Sequence, residues 1–310
     1  MKLWIGITDG EWYRHLAALQ PDEVNFWRPS GEPPFKSLPP GTPFLFQLKS
    51  PNRVIAGGGF FVSFTQLPVS LAWDAFGASN GASNRMELLK RIGQYRTDAF
   101  PHADPMIGCT ILAEPFFLDP DDWIPVPDDM SKNIVVGKSY DVETAAGARL
   151  WHSVEEVLRR RRGREPFPIP IPQDGEERPG YDYLVRARLG QGAFRVLVTD
   201  AYGRRCAVTG ERTLPVLQAA HIKPYAEEGP NRINNGLLLR SDLHILFDRG
   251  YLTVNRERRL EVSARIREEY ENGKIYYAMA GNRLAALPQR EADRPSQDFL
   301  EWHNQKVYLG

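Results

Sequence analysis

Between Tyr202 and Asp248 the chain spaces three polar side chains, His221, Asn235 and His244, 14 and 9 residues apart, each at the border of a short local element. Residues 216–219 read as a short strand that delivers His221, and Pro224 then turns the chain. Asn234, Asn235 and Gly236 form a turn signal, after which residues 237–239 make a second apolar run. Ser241 suits the N-cap of a helix that carries Asp242, His244 and Asp248 and is stopped by Gly250. The local plan is strand, loop, strand, helix.

That plan suits hydrolysis of a phosphodiester, which needs a base to deprotonate water and a cation beside the leaving 3′ oxygen. Histidine titrates near neutrality, so His221 on a strand end is a candidate base. His244 and Asp248 stand at i and i+4, on one helical face, where an imidazole and a carboxylate can hold a divalent ion. One histidine then handles the proton and the other the charge.

The motifs C-A-V-T-G, A-A-H-I-K-P and D-L-H-I-L-F-D-R-G, in this order, resemble the restriction-type branch of the HNH, or ββα-metal, endonuclease family. The resemblance implies that His221 is the general base, that Asn235 holds the active-site loop and that His244 binds the metal. Many members carry an aspartate ligand just before the base, where this chain has Ala220. Asp248 is the candidate to complete the shell, its competing role being a hydrogen bond within the turn. Mg²⁺ or Mn²⁺ is the expected ion, with Co²⁺ and Ni²⁺ also compatible with such ligands. Many relatives also hold a structural zinc with two C-x-x-C pairs; only Cys206 lies in this region and Cys109 is far upstream, so no structural zinc is expected.

The 310 residues suffice for two domains. With 39 basic and 39 acidic side chains the net charge is zero, but its distribution is uneven. Residues 1–150 hold 13 Lys or Arg against 17 Asp or Glu, and residues 181–260 hold 13 against 8, so the histidine-bearing region is the electropositive part. Two distant cysteines, no long apolar segment after the opening Met-Lys and no run of eighteen apolar residues fit a cytoplasmic protein outside the membrane.

Ahead of this region the expected order is a strand from Leu3, a helix over 11–19, strands over 44–48 and 53–62, a helix over 86–92, and strands over 107–112 and 134–136. Gly57, Gly58 and Gly59 inside one strand point to a bulge, sharp curvature or close approach of another backbone, hence a curled sheet. The opening strand with tryptophan, the Pro-rich loop after Trp27, the Pro-Gly turn into F-L-F and the G-G-G-F-F strand resemble the PUA-like superfamily, in its EVE and ASCH branches. That resemblance covers roughly residues 1–145 and implies a pocket for a modified base taken out of the helix, which needs flat faces for stacking and a few polar groups to read its edge. Trp27, Phe35, Phe61 and Trp73 are the candidate aromatic walls, with Asn25, Ser30 and Arg28 as polar partners; the competing role of each aromatic is ordinary core.

The fold class expected is therefore α+β: a PUA-like curled β-barrel domain with flanking helices over 1–150, a basic helix end and Pro-rich linker over 151–180, and a ββα-metal HNH domain over 181–310. Five arginines within 159–164 either grip phosphates or form a solvated helix end, and the proline run after them is a stiff tether. Helices are expected over 183–189 and 194–202, a hairpin over 252–262 and a docking helix at 299–303, with His303 structural. Arg188, Gln191, Arg195 and Lys223 are candidate DNA contacts. The reading is a modification-dependent DNA endonuclease, acting on double-stranded DNA that carries a modified cytosine, with homodimerisation needed for a double-strand break and phage defence as the setting. The alternatives are an HNH nuclease whose N-terminal domain binds unmodified DNA or RNA, and a catalytically inactive nucleic-acid-binding protein.

Overall fold

A computed structural model of the chain describes residues 1–35, 37–96, 104–162 and 189–310, with backbone alone at 161 and 162. The Pro-rich linker, most of the helix expected over 183–189, Arg188 and the arginine side chains after Arg160 lie outside the described residues. The architecture is α+β, in two compact units, Met1–Ala193 and Phe194–Gly310.

The first unit is built on one seven-stranded sheet: β1 (Lys2–Thr8), β2 (Glu23–Arg28), β3 (Pro43–Leu48), β4 (Val54–Pro68), β5 (Met106–Phe117), β6 (Ile124–Pro125) and β7 (Gly137–Asp141). Its order is β2-β5-β4-β3-β1-β7, with β6 pairing β4, and β1 and β3 run parallel. Strand alternation separates two cores. Trp4, Phe44 and Phe46 face the aromatic cluster with Trp12 and Leu16 of α1 (Gly10–Leu19). Leu3, Ile5 and Leu45 face the aliphatic cluster with Leu150, Val154 and Leu158 of a later helix, Ala145–Arg162.

The three glycines lie where β5 crosses β4. A Cβ on Gly57 would stand 2.3 Å from the Phe116 carbonyl oxygen, and one on Gly58 would stand 2.8 Å from that of Phe44. The β4–β5 register shifts on either side of Phe60 and Phe61. Close backbone approach and irregular register both bend the sheet here, as the glycine run predicts.

Two local expectations change. Residues 134–136 are not a strand; the strand that pairs with β1 begins at Gly137, with the Val136 carbonyl accepting the Ile7 N–H just ahead of it. Residues Val69–Phe76 form a helix, α2, that the sequence pattern hid. Val69, Ala72 and Phe76 are its buried face, while Leu71 and Trp73, partly exposed, blur the 3.6-residue period. α3 (Arg85–Gly93) begins at Asn84, whose side chain accepts the Glu87 N–H, and α4 is the Ala145–Arg162 helix.

The second unit holds the body of α5 (Gln191–Ala201) and the hairpin of β8 (Leu217–His221) and β9 (Gly236–Arg240). It continues with α6 (Ser241–Asp248), a second hairpin of β10 (Leu252–Val254) and β11 (Leu260–Val262), α7 (Arg265–Tyr270), α8 (Lys274–Tyr277) and α9 (Gln297–Lys306). Leu237, Leu238, Leu239, Leu243 and Phe247 are buried in one cluster with Phe194, Val198 and Leu300. The expected strand, loop, strand, helix plan is present, with one correction. Ser241 is the first helical residue, not the cap; Arg240 holds the extended N-cap conformation and no side chain caps the helix.

Candidate functional site

β8 ends on His221, paired with Gly236. The imidazole lies flat on Phe194, ring centroids 3.8 Å apart and planes 13° from parallel. Its Nε2 is 2.8 Å from Asn231 Oδ1. Burial is the main influence on its pKa and holds it below the ordinary histidine value; the Asn231 hydrogen bond and the Asp248 charge oppose the shift, and His244 and Arg195 add to it. The shift widens the pH range in which the His221 imidazole is neutral, the form that can accept a proton. The charges that act on His221 belong to α6 and α5, so the strand histidine and the helix histidine share one electrostatic environment.

Asn235 is completely buried and straps the loop after His221. Its Oδ1 accepts the Lys223 N–H at 2.9 Å, and its Nδ2 donates to the carbonyls of Lys223 at 2.9 Å and Pro230 at 3.0 Å. Its own carbonyl accepts the Ile222 N–H at 2.9 Å. All four bonds bear on the chain that leaves the histidine, so the loop cannot shift without breaking several of them.

His244 projects from α6 between two partners. Nδ1 is 2.8 Å from Gln218 Oε1, and Nε2 is 3.2 Å from Asp248 Oδ2 one turn on. An oxygen acceptor at Nδ1 requires the proton there and leaves the ring's lone pair on Nε2, facing a carboxylate. Such a contact is attractive only with positive charge at or between the two atoms. An imidazole nitrogen and a carboxylate oxygen so placed are a donor set that fits a divalent cation, with the Gln218 amide orienting the ligand from behind. Among the described residues no group of three or more His, Cys, Asp or Glu side chains is gathered for a metal. His244 and Asp248 are the two side chains here that could hold such an ion.

The remaining polar residues of the segment are committed elsewhere. Asp242 forms a two-point ion pair with Arg240, at 2.6 and 2.7 Å. His303, 2% exposed, stacks on Phe247 and bonds the Phe247 carbonyl through Nε2 and the Thr253 hydroxyl through Nδ1. It is structural, and burial pushes its pKa down to about 4. Ala220, the residue before His221, is fully buried in the core cluster of the unit with Leu237, Leu238 and Leu239. Cys109 and Cys206 are both buried and are not joined in a disulfide.

Of the candidate DNA contacts, Arg188 is outside the described residues and Gln191 is exposed at the start of α5. Arg195 is exposed, next in sequence to the Phe194 on which the His221 ring rests. Lys223 has its backbone held by Asn235 and its Nζ 5.9 Å from the centre of the Trp302 ring.

In the first unit a cavity of about 340 Å³ opens between β1, β2, β3 and the loops beside them. Trp4, Trp12, Phe26, Trp27 and Phe44 give it aromatic walls, and Asp9, Arg28, Ser30, Lys49 and Tyr95 give it polar ones. The Trp27 indole N–H donates to the Asn80 carbonyl at 2.8 Å, which fixes the ring. Of the candidate pocket residues, Trp27, Arg28 and Ser30 line this cavity, and Phe35, Phe61, Trp73 and Asn25 do not. Phe35 and Phe61 pack edge to face, centroids 5.2 Å apart, in the aromatic core. Trp73 lies on α2, and Asn25 is fully buried, donating to Asn80 and Cys109. Asn80, Asn231, Gln218 and Phe194 were not singled out from sequence, since an amide or a lone aromatic in a loop or helix carries no spacing signal.

Residues 206–255 match the family model of the HNH endonucleases. No curated protein sequence matches the chain. Similar solved structures include two mutant forms of ZmASCH from Zymomonas mobilis, each with a TM-score of 0.32 and 11% identity; they cover 49% and 50% of this chain and 94% and 99% of their own. Another is the modification-dependent TagI restriction endonuclease, with a TM-score of 0.27 and 14% identity, covering 92% of this chain and 75% of that one. Among the described residues no helix is long and apolar enough to cross a membrane.

Proposed function

We propose that the chain is a divalent-metal-dependent DNA endonuclease of the HNH type, directed to its substrate by a modified cytosine held in the first unit. The observation that carries the nuclease reading is the set His221, Asn235 and His244 within the matched segment: a half-buried base, a buried strap on its loop and a helix imidazole beside a carboxylate.

In this reading neutral His221 takes a proton from water as the water oxygen bonds to phosphorus and the bond to the 3′ oxygen breaks. Asn235 keeps the loop still, so that the base and the phosphate are held at one distance rather than many. His244 and Asp248 would hold the cation, with Gln218 fixing the ring. When bound, the cation supplies positive charge where the leaving 3′ oxygen becomes negative. Lys223 and Arg195 would meet the flanking phosphates, and each such contact would add to the salt dependence of binding.

For the first unit, support comes from the cavity. At about 340 Å³ it lies at the small end of the range for small-molecule sites, and it combines flat aromatic faces with a carboxylate, two cations and hydroxyls. A flipped base needs that combination. A nuclease gated in this way spares unmodified DNA, which suits removal of modified foreign DNA from a cytoplasm. The test is digestion of matched duplexes carrying cytosine, methylcytosine, hydroxymethylcytosine or glucosylated hydroxymethylcytosine, with Mg²⁺ or Mn²⁺. Cutting of one modified set and sparing of the unmodified one supports both halves of the proposal. Equal cutting of all four overturns the base-reading half, and failure of His221→Ala to abolish cutting overturns the nuclease half.

A further inference from the structure

We infer that Asn231 is the positioning residue that fixes the tautomer of His221, so that Nδ1 and not Nε2 takes the proton from water. The inference rests on the nuclease reading for its purpose but on the geometry of the ring for its content. The contact is Nε2 to Asn231 Oδ1 at 2.8 Å. A carboxamide oxygen has no proton to give, so Nε2 must carry the hydrogen and the lone pair sits on Nδ1. Nδ1 makes no hydrogen bond to a described residue and is not among the sealed, unpartnered polar atoms of the interior. Phe194 covers one face of the ring at 3.8 Å, which leaves the edge bearing Nδ1 as the working edge.

The helix histidine is wired the other way round. Gln218 Oε1 meets Nδ1 of His244, which turns Nε2 toward Asp248. Two neutral amides thus set two imidazoles in opposite tautomers, one for a proton and one for a cation. Neutrality of the partner matters for His221. An aspartate in place of Asn231 would also accept from Nε2, but its charge would hold the proton on the ring and slow its release. Asn231 orients the base while adding no full charge to those of Asp248, His244 and Arg195 that already act on it.

Asn231 is set by the same strap as the base. The residue before it, Pro230, gives its carbonyl to Asn235 at 3.0 Å, and the residue after it, Arg232, gives its carbonyl to the Asn235 N–H at 2.9 Å. Asn235 therefore fixes both ends of the contact, the His221 end through Ile222 and Lys223 and the Asn231 end through its neighbours.

The test uses the full chain labelled with ¹⁵N in its histidine rings, with the His221 signals identified by their loss in His221→Ala. Wild type is expected to show His221 with hydrogen on Nε2 and a bare Nδ1. Asn231→Leu, similar in size but without an acceptor, is expected to give a mixture of tautomers, and Asn231→Asp to keep the Nε2–H form. The signals of buried His303 serve as the fold control and stay in place in both variants. In cleavage assays on the duplex that wild type cuts best, kcat falls about 10- to 100-fold in Asn231→Leu with KM unchanged, and Asn231→Asp recovers part of the loss with its acid limb moved to higher pH. A wild-type ring protonated on Nδ1, or an Asn231→Leu ring with unchanged tautomer, overturns the inference. The ring spectrum is read without substrate, so a chain that cuts no DNA would refute the nuclease reading and leave this result standing or falling by itself.

Discussion

Replacing Asn235 by alanine isolates the strap from the chemistry, because its side chain bonds only backbone: one N–H and two carbonyls, at 2.9, 2.9 and 3.0 Å. Each hydrogen bond contributes about 1 kcal/mol net, and a partner left unsatisfied away from water costs about 1–3 kcal/mol. The partners here are part-buried, so water recovers some of that cost, and the expected destabilisation of the Phe194–Gly310 unit is about 3–5 kcal/mol. Asn235→Asp sharpens the test. It keeps an acceptor for the Lys223 N–H but turns a carboxylate oxygen on the Lys223 and Pro230 carbonyls, so at neutral pH it should be at least as damaging as alanine and should recover as the carboxyl protonates. Urea unfolding gives the free energy, and hydrogen exchange at the Lys223 amide reports the strap directly. The exchange should accelerate in both variants, and cleavage should fall at least 100-fold with DNA affinity nearly unchanged. An alanine variant within 1 kcal/mol of wild type, or an aspartate variant as stable as wild type at pH 7, would refute the reasoning.

Five other outcomes are expected. His303 has its pKa pushed from 6.5 to about 4 by burial, so between those values the unfolded chain binds the proton that the folded chain refuses. Stability should therefore be intact above pH 6.5 and lose about 3 kcal/mol as pH falls to 4, and His303→Phe should flatten that part of the pH–stability curve. The acid limb of cleavage, set by His221, should lie below the ordinary histidine value, as a pH profile of kcat/KM would reveal. Asp248→Ala and His244→Ala should each weaken Mn²⁺ binding at least 10-fold by calorimetry, whereas Asp242→Ala, which breaks the Arg240 pair and a Tyr276 hydroxyl contact, should not. Trp27→Ala should abolish the preference between modified and unmodified duplexes while leaving the His303 signals unmoved, and sedimentation on a modified duplex should show two copies wherever both strands are cut.

What was legible in the sequence, and what was not, divides along the range of the contacts involved. His221, Asn235, His244 and Asp248 lie within 28 residues, and the elements between them are set by local signals such as Pro224, the Asn-Asn-Gly turn and the i, i+4 helix spacing. Their encounter needs only one hairpin and one helix to close. Ser241 was misread because the cap is decided by backbone angles at Arg240, and a serine at the next position looks the same in sequence. The aromatic cavity of the first unit required longer-range information. Trp27, Phe61 and Trp73 are all aromatic residues near loops or glycines, and which of them meets the cavity depends on strand parity and on a helix whose period Leu71 and Trp73 conceal.

The residues missed altogether share a different trait: Asn231, Gln218, Asn80 and Phe194 act on another functional side chain rather than on a substrate. Their requirement is a single well-placed oxygen or a flat face, which many residue types at many positions can supply. The first layer of such a site demands specific chemistry at fixed spacing and so leaves a pattern. The supporting layer demands only geometry, and geometry of this kind is created when β8 and β9 pair and Phe194 slides beneath the imidazole, a contact spanning 27 residues of sequence. Substitution tolerance should follow the same division: at 244 no other side chain supplies an imidazole, whereas at 218 glutamate also presents an oxygen to Nδ1 and should retain metal binding that alanine loses.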